Sequence, residues 1–328
     1  MVKQTFIYRS QSTDPYENIA VEKHLLETVE EGCCILYLWQ NKNTVVIGRN
    51  QNAWVECRTT LLEQEGGKLA RRLSGGGAVY HDLGNLNFTF LMRDEDYDLD
   101  KQLSVIQAAC AAAGIQAERS GRNDLLVQGH KFSGNAFYHS QGHAYHHGTL
   151  LVSSDLNELS RYLTPSKAKL EAKGVSSVRS RVANLQEFAP ELTCEKMGKY
   201  METAFCQVYG LTPEYITLQQ SEIESIARTA AELGSWQWLY GTRIPCTFSC
   251  EARFGWGSIS IQLQVSSGLI VSAQIYTDAM EWSLADSVSN ALTGCRFNLI
   301  DMRSAITQHI SDTQAAADIC QLLAEQDI

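Results

Sequence analysis

The sequence predicts an α+β protein, with mainly antiparallel sheets flanked by helices and a small α+β domain after them. Three observations carry this. The strand-like runs Leu125–Gln128, Lys131–Tyr138 and Tyr145–Val152 are joined by only a few residues. Such links cannot hold the crossover helix that a parallel pair needs. The pattern changes after Gly241, where Ser258–Val265 alternates strictly between apolar and polar residues. A length of 328 residues corresponds to about two domains at roughly 150 residues each.

Taken in order, Asp14-Pro15-Tyr16-Glu17 opens a helix, with Asp as N-cap, Pro at the first helical position and Glu at the third. Ile19, Ala20, Leu25, Leu26 and Val29 form its apolar face, and Gly32 ends it. Strands Cys34–Trp39 and Thr44–Gly48 follow around the polar turn Gln40–Asn43. A helix near Thr59–Glu65 leads to Lys68–Leu73, a glycine run, then strands Gly77–His81 and Leu86–Leu91. Lys101–Ala113 reads as a helix stopped by Gly114, and the three central strands come next. Helices are expected at Leu156–Tyr162 and Cys194–Tyr209. Past a boundary near Thr242–Thr247, Ser258–Val265 turns at Ser266–Gly268 and returns through Ile270–Tyr276, a hairpin with one buried face. Two or three helical segments fill Glu281–Leu322, so the expected domains are residues 1–244 and 245–328.

Composition narrows the function classes. With 44% hydrophobic and 20% charged residues, the chain can build a sizeable core, which excludes disorder, collagen and coiled coil. No run approaches the ~18 apolar residues of a membrane helix, and MVKQTFIYRS lacks a signal-peptide layout, so the expected location is the cytoplasm. The net charge of −10 (27 minus 37) argues against nucleic acid as partner. The balance is uneven: Arg161, Lys167, Lys169, Lys173, Arg179 and Arg181 stand against the single acid Glu171, which reads either as a solvated face or as a docking strip for an acidic partner. The 10 cysteines follow no zinc or disulfide spacing and read as reduced, mostly buried thiols.

The densest chemical signal is Arg71-Arg72-Leu73-Ser74-Gly75-Gly76-Gly77-Ala78-Val79-Tyr80-His81-Asp82. Three glycines inside a strand pair are unfavourable unless something lies against bare backbone. Two arginines beside them place guanidinium forks near a phosphate or carboxylate. The bland alternative is a glycine-rich hairpin with exposed arginines. Neither a P-loop nor a dinucleotide fingerprint is present. A second signal is Gly121-Arg122-Asn123-Asp124 followed by Lys131-Phe132-Ser133-Gly134-Asn135-Ala136. A lysine within an alternating strand must reach water or an anion, unless it only guards a sheet edge. Asp124 fixes a ribose or a metal-bound phosphate, or caps a turn. His139, His143, His146 and His147 lack an outlying ligand to complete a zinc spacing and read as solvated or hydrogen-bonded.

RRLSGGGAVYHDLGN, GRNDL, HKFSGNA, HHGTLL and KGVSSVRSRVANL occur in that order, and together they resemble the lipoate–protein ligase A family, from about Tyr16 to the end of the chain. The resemblance implies a biotin/lipoyl ligase-like catalytic domain with an accessory C-terminal domain. It also implies a two-step reaction: lipoate and Mg2+-ATP give lipoyl-AMP and pyrophosphate, and a lysine of an apo lipoyl domain then takes the lipoyl group as an amide. Acceptors would be the E2 subunits of 2-oxoacid dehydrogenases and the glycine cleavage H protein, served by a monomeric enzyme of lipoate salvage. By the same resemblance Lys131 contacts the lipoyl carboxylate and the α-phosphate, supplying electrostatic rather than base catalysis. Arg72 holds the phosphates. Ser74, Gly75, Gly76, Gly77, Ala78, Val79 and Tyr80 bed the adenylate and the start of the lipoyl chain, with Arg72, Ser74 and Lys131 touching lipoate. Asn123 and Asp124 meet the nucleotide or its magnesium. Two alternatives stand beside this. One is an ATP-independent octanoyl or lipoyl transferase, which works through a cysteine thioester, although Ala111 to Thr193 holds no cysteine and Cys110 lies in a helical pattern. The other is a lipoate or lipoyl-protein binder without catalysis.

Overall fold

The computed structural model describes residues 1–121, 124–164, 182–241 and 244–326. It separates into two compact units. The first comprises Met1–Val46, Cys57–Arg71 and Val79–Leu239, and the second Ile47–Glu56, Arg72–Ala78 and Tyr240–Ile328.

The first unit is built on an eight-stranded sheet. In chain order its strands are β1 (Gln4–Arg9), β2 (Cys33–Trp39), β6 (Asn85–Arg93), β7 (Glu118–Ser120), β8 (Asp124–Val127), β9 (His130–Ser140), β10 (His143–Leu151) and β11 (Glu214–Tyr215). They lie side by side as β11-β1-β2-β6-β10-β9-β8-β7. From β2 through to β7 every pair is antiparallel, as the short connections require. The pairs β1–β2 and β1–β11 are parallel, and the β1–β2 crossover is the 14-residue helix Pro15–Thr28.

Strand β2, Cys-Cys-Ile-Leu-Tyr-Leu-Trp, is buried along its whole length, and its alternation divides two cores. Cys34, Leu36 and Leu38 face the helices Leu99–Ala112 and Cys194–Tyr209 through Val105, Ile106, Met201 and Phe205. Cys33, Ile35, Tyr37 and Trp39 face Pro15–Thr28 and Gln220–Leu233 through Ile19, Leu25, Leu26 and Ile226. The first helix starts as its sequence implies, with Asp14 accepting from the Tyr16 N–H at 2.9 Å. Glu17 does not close a capping box, because it accepts from Ser12 Oγ instead. The helix ends one turn before Gly32, whose φ of +73° belongs to the turn into β2. Strand β1 and helix Gln220–Leu233 are absent from the sequence expectations, although the helix spaces Ile223, Ile226, Ala230 and Leu233 along one face. The first buries few of its six residues, and the second buries only Ile226 and Leu233. A smaller sheet has the order β4 (Lys68–Arg71), β3 (Thr44–Ile47), β5 (Val79–His81).

In the second unit, β12 (Phe248–Phe254), β13 (Gly257–Ser266) and β14 (Leu269–Thr277) form an antiparallel meander. Ile259, Ile261 and Leu263 point into its core. Ser267 and Gly268 both have positive φ, the backbone of a two-residue type I′ hairpin loop. Helices Leu284–Leu292, Leu299–His309 and Thr313–Ala324 cover the sheet with Val288, Met302, Ile306 and Ile319. Two earlier segments are tied in by backbone: Thr277 N–H donates to the Asn50 carbonyl at 2.9 Å, and Gly76 N–H to that of Ala279 at 3.0 Å.

The cysteines are free thiols, and six of them are buried. Among the described residues, no helix is long and apolar enough to cross a membrane.

Candidate active site

The residues singled out by sequence fall into two groups, the lysine hairpin in the first unit and the glycine run, whose Arg72–Ala78 belong to the second. In the first, Gln128 (φ +49°) and Gly129 (φ +79°) make the two-residue loop of the β8–β9 hairpin. Leu125 pairs with Ser133 while Leu126 pairs with Lys131, so Phe132 is an extra residue on β9. Bulges of this kind re-aim the neighbouring side chain. Phe132 enters the core, and the Lys131 Nζ lies 2.6 Å from Asp124 Oδ1, with both side chains about a third exposed (36% and 35%). The Lys131 backbone is held from the other side, where its carbonyl accepts the Ala183 N–H at 3.0 Å. Gly134 faces Asp124 across the strands, and a Cβ there would stand 3.2 Å from the ammonium. Asn123 and Arg122 lie outside the described residues, as do Lys167, Lys169, Lys173, Arg179 and Arg181.

Strand β10 lies beside β9 in the same sheet. A Cβ on Gly148 would sit 2.7 Å from the Gly134 carbonyl oxygen and 2.6 Å from Phe88, so only glycine lets β9 and β10 close here. Next to it, buried His146 places Nε2 2.8 Å from Asn135 Oδ1 and Nδ1 3.0 Å from Gln102 Oε1. Burial, aided by His147, lowers its pKa to about 3. A neutral ring donates from one nitrogen and accepts at the other, so one of the two amides turns its NH2 toward it. The folded state refuses a proton that the unfolded chain takes up below the ordinary value of 6.5. Stability therefore falls as pH drops from 6.5 toward 3, by up to ~1.4 kcal/mol per pH unit. Urea unfolding at pH 7, 5 and 4 should show this acid limb flattened by one proton in His146→Gln. Identical limbs in the two proteins refute the assignment.

Sequence reasoning missed Glu22. Its carboxylate is fully buried, with Oε1 2.7 Å from Thr89 Oγ1 and 2.8 Å from His147 Nδ1. Thr89 in turn accepts from the Trp39 indole at 3.2 Å, and the Tyr145 ring packs 4.6 Å from His147. The signal was present, because Glu22 stands between Ile19 and Leu26 on the apolar stripe of its helix.

The second group surrounds the glycine run. Neither arginine is exposed. Arg71, in the first unit, donates to the carbonyls of Trp238 and Leu239. Arg72 is 7% exposed and donates through Nε to Ser74 Oγ at 3.1 Å. Its terminal nitrogen donates to the Gly75 and Gly77 carbonyls at 2.7 and 2.8 Å. The guanidinium thus lies inside the curl of the loop. Gly75 packs directly on protein backbone, where a Cβ would fall 2.3 Å from the Ala279 oxygen. Gly76 (φ +90°) presents its carbonyl to Gly48, where a Cβ would fall 2.2 Å away. Ser74 is buried, Gly77 and Ala78 are half-buried, and Val79 and Tyr80 belong to β5 of the first unit, with the Tyr80 hydroxyl 3.2 Å from Asn43 Oδ1.

Comparison with known proteins supplies the context. Residues 14–206 match the model of the lipoyl protein ligase A/B catalytic domain, and residues 244–323 that of the bacterial lipoate protein ligase C-terminus. The structure is similar to LipL1 of P. falciparum, solved in complex with lipoate (TM-score 0.86, 27% identity, covering 98% of this chain and 100% of that one). It shares a fold with a bi-partite archaeal lipoate protein ligase from Thermoplasma acidophilum, whose study includes its E2 lipoyl domain (TM-score 0.65, 24% identity, 76% and 100% covered). The same holds for a lipoate-protein ligase A bound with ATP (TM-score 0.64, 23% identity, 74% and 99% covered).

Proposed function

The chain belongs to the lipoyl protein ligase A/B family, as an enzyme of the ligase class, and from that premise we propose that it activates lipoate with ATP and transfers the lipoyl group to a lysine of apo lipoyl domains. The observation that carries this reading is the Lys131 ammonium, held on a bulged hairpin beside a glycine that keeps its surroundings open. In the first step the lipoate carboxylate attacks the α-phosphorus of ATP, and pyrophosphate leaves. Lys131 offsets the charge on both reacting oxygens. In the second step the acceptor amine attacks the acyl carbon, and AMP leaves with the amide formed. We assign Arg72 to the phosphates and the lipoyl carboxylate, a role for which it must exchange carbonyl partners for an anion. The bed of the adenylate is Ser74, Gly75, Gly76, Gly77, Ala78, Val79 and Tyr80, and Asn123 and Asp124 meet the nucleotide.

Among the described residues no three carboxylate or imidazole groups cluster as a metal site. Magnesium would instead be carried on ATP phosphates and waters, with Asp124, 2.6 Å from the Lys131 ammonium, as a carboxylate placed to meet it. When bound, the ion would neutralise phosphate charge. We further assign residues 1–244 to adenylation and 245–328 to an accessory role, in a monomeric cytoplasmic enzyme of lipoate salvage that accepts E2 lipoyl domains and the H protein.

The test is intact-mass measurement of an apo lipoyl domain incubated with the protein, lipoate, magnesium and ATP. A lipoyl-sized gain that requires ATP and releases AMP supports the ligase; transfer from an acyl carrier protein without ATP refutes it. Cysteine-dependent transfer through Cys110 or Cys194 is disfavoured. Burial pushes both Cys110 and Cys194 up to about 12, opposite to what a thiolate nucleophile requires. Cys110→Ala should therefore keep its lipoylation rate, and loss of transfer in a folded Cys110→Ala protein would revive the thioester route.

A further inference from the structure

We propose that Asp124 is a positioning residue that parks the Lys131 ammonium in the free protein and competes for it with a carboxylate ligand. The inference rests on the reading of Lys131 as the group that meets that ligand. Three observations support it. The ion pair crosses the hairpin, with Lys131 Nζ 2.6 Å from Asp124 Oδ1, because the extra residue Phe132 brings Lys131 round to that position. Gly134, opposite Asp124, leaves the path bare, since a Cβ there would sit 3.3 Å from Lys131 Cε and 3.2 Å from Nζ. The Lys131 backbone is pinned between β8 and the Val182–Ala183 segment, so the side chain alone can change partner.

The pair is also poised to exchange. Both side chains are about a third exposed, and partly hydrated pairs of this type are weak. An arriving carboxylate can take the ammonium, but it must first displace the one already there. This gives Asp124 a role apart from any contact with nucleotide, and the two roles predict different results. A competitor's removal tightens lipoate binding in the absence of ATP. Removal of a nucleotide ligand leaves lipoate binding without ATP unchanged.

The experiment has a ligand-free and a ligand-bound arm. In the first, the free protein is pulsed with an amine-acylating reagent, and Lys131 modification is followed by peptide mass mapping against the other lysines. Asp124→Asn should raise the Lys131 rate by about two- to fivefold, the scale of a weak ion pair. Asp124→Glu should restore protection, and Gly134→Ala should mimic the loss with the carboxylate intact. Equal Lys131 rates in Asp124→Asn and the unaltered protein overturn the parking. In the second arm, calorimetry with lipoate and no nucleotide should give a Kd about two- to fivefold tighter for Asp124→Asn, and no such change in a Lys131→Met background. Weaker or unchanged binding, or a gain that persists without Lys131, overturns the competition. If the unaltered protein binds no lipoate while the labelling difference holds, the functional reading fails and the parked lysine stands.

Discussion

Lys131→Ala is expected to slow adenylate formation by about 10²-fold or more, because on the proposed mechanism a fixed positive charge at the reacting oxygens is lost. The deletion has a second consequence in this structure. Asp124 lies 2.6 Å from the ammonium, so the variant presents an uncompensated carboxylate where the lipoyl carboxylate and the α-phosphate should meet. Repulsion then adds to the lost attraction. The fold should survive, since the Lys131 side chain is partly exposed and the strand is held by its backbone. Single-turnover formation of lipoyl-AMP, with circular dichroism as the folding control, measures the effect. A Lys131→Ala protein that makes adenylate at a near-normal rate would remove this residue from the mechanism.

Gly75→Ala should destabilise the free protein by about 1–3 kcal/mol, as overpacking against unyielding atoms does. The added methyl would lie 2.3 Å from the Ala279 oxygen and 2.7 Å from that of Met280. These are main-chain atoms just past β14, joined to the loop by the Gly76–Ala279 hydrogen bond, so neither side can retreat without breaking the join. Gly255 supplies the control, because a Cβ there meets nothing within 4 Å, and Gly255→Ala should stay within about 0.5 kcal/mol of the parent. Urea unfolding in the absence of ligand separates the two. Equal stabilities would mean that Gly75 serves only a ligand. A glycine beside a ligand and a glycine beside another strand look alike in sequence; the distances here make Gly75 at least the second kind.

Arg72 teaches a similar lesson. The residue types around it point to anion chemistry, yet the guanidinium is wrapped by carbonyls of its own loop. Its neighbour Arg71 joins strand β4 to Trp238 and Leu239. A sequence shows that two forks are near a glycine run but not which carbonyls they reach, because those partners are chosen by chain curvature and by segments far away. Glu22 is the converse case. Its place on an apolar helical stripe was readable, but its meaning needed Thr89 and His147, which two other strands deliver.

The sequence by itself determined the mixed α+β class, the antiparallel central strands, the β8–β9 and β13–β14 hairpins and, within a few residues, the limits of five helices of the first unit. Each depends on periodicity, turn residues and caps within a few positions of one another. It also singled out the glycine run and the lysine hairpin as candidate places for chemistry, since those residue types are unfavourable in ordinary strands. Tertiary structure decided the parallel placement of β1, the division of β2 between two cores, the contact of Gly75 with Ala279 and the pairing of Lys131 with Asp124 across a bulge. These are contacts between segments or across irregular register, and their energies depend on distances and exclusion from water that no local pattern encodes.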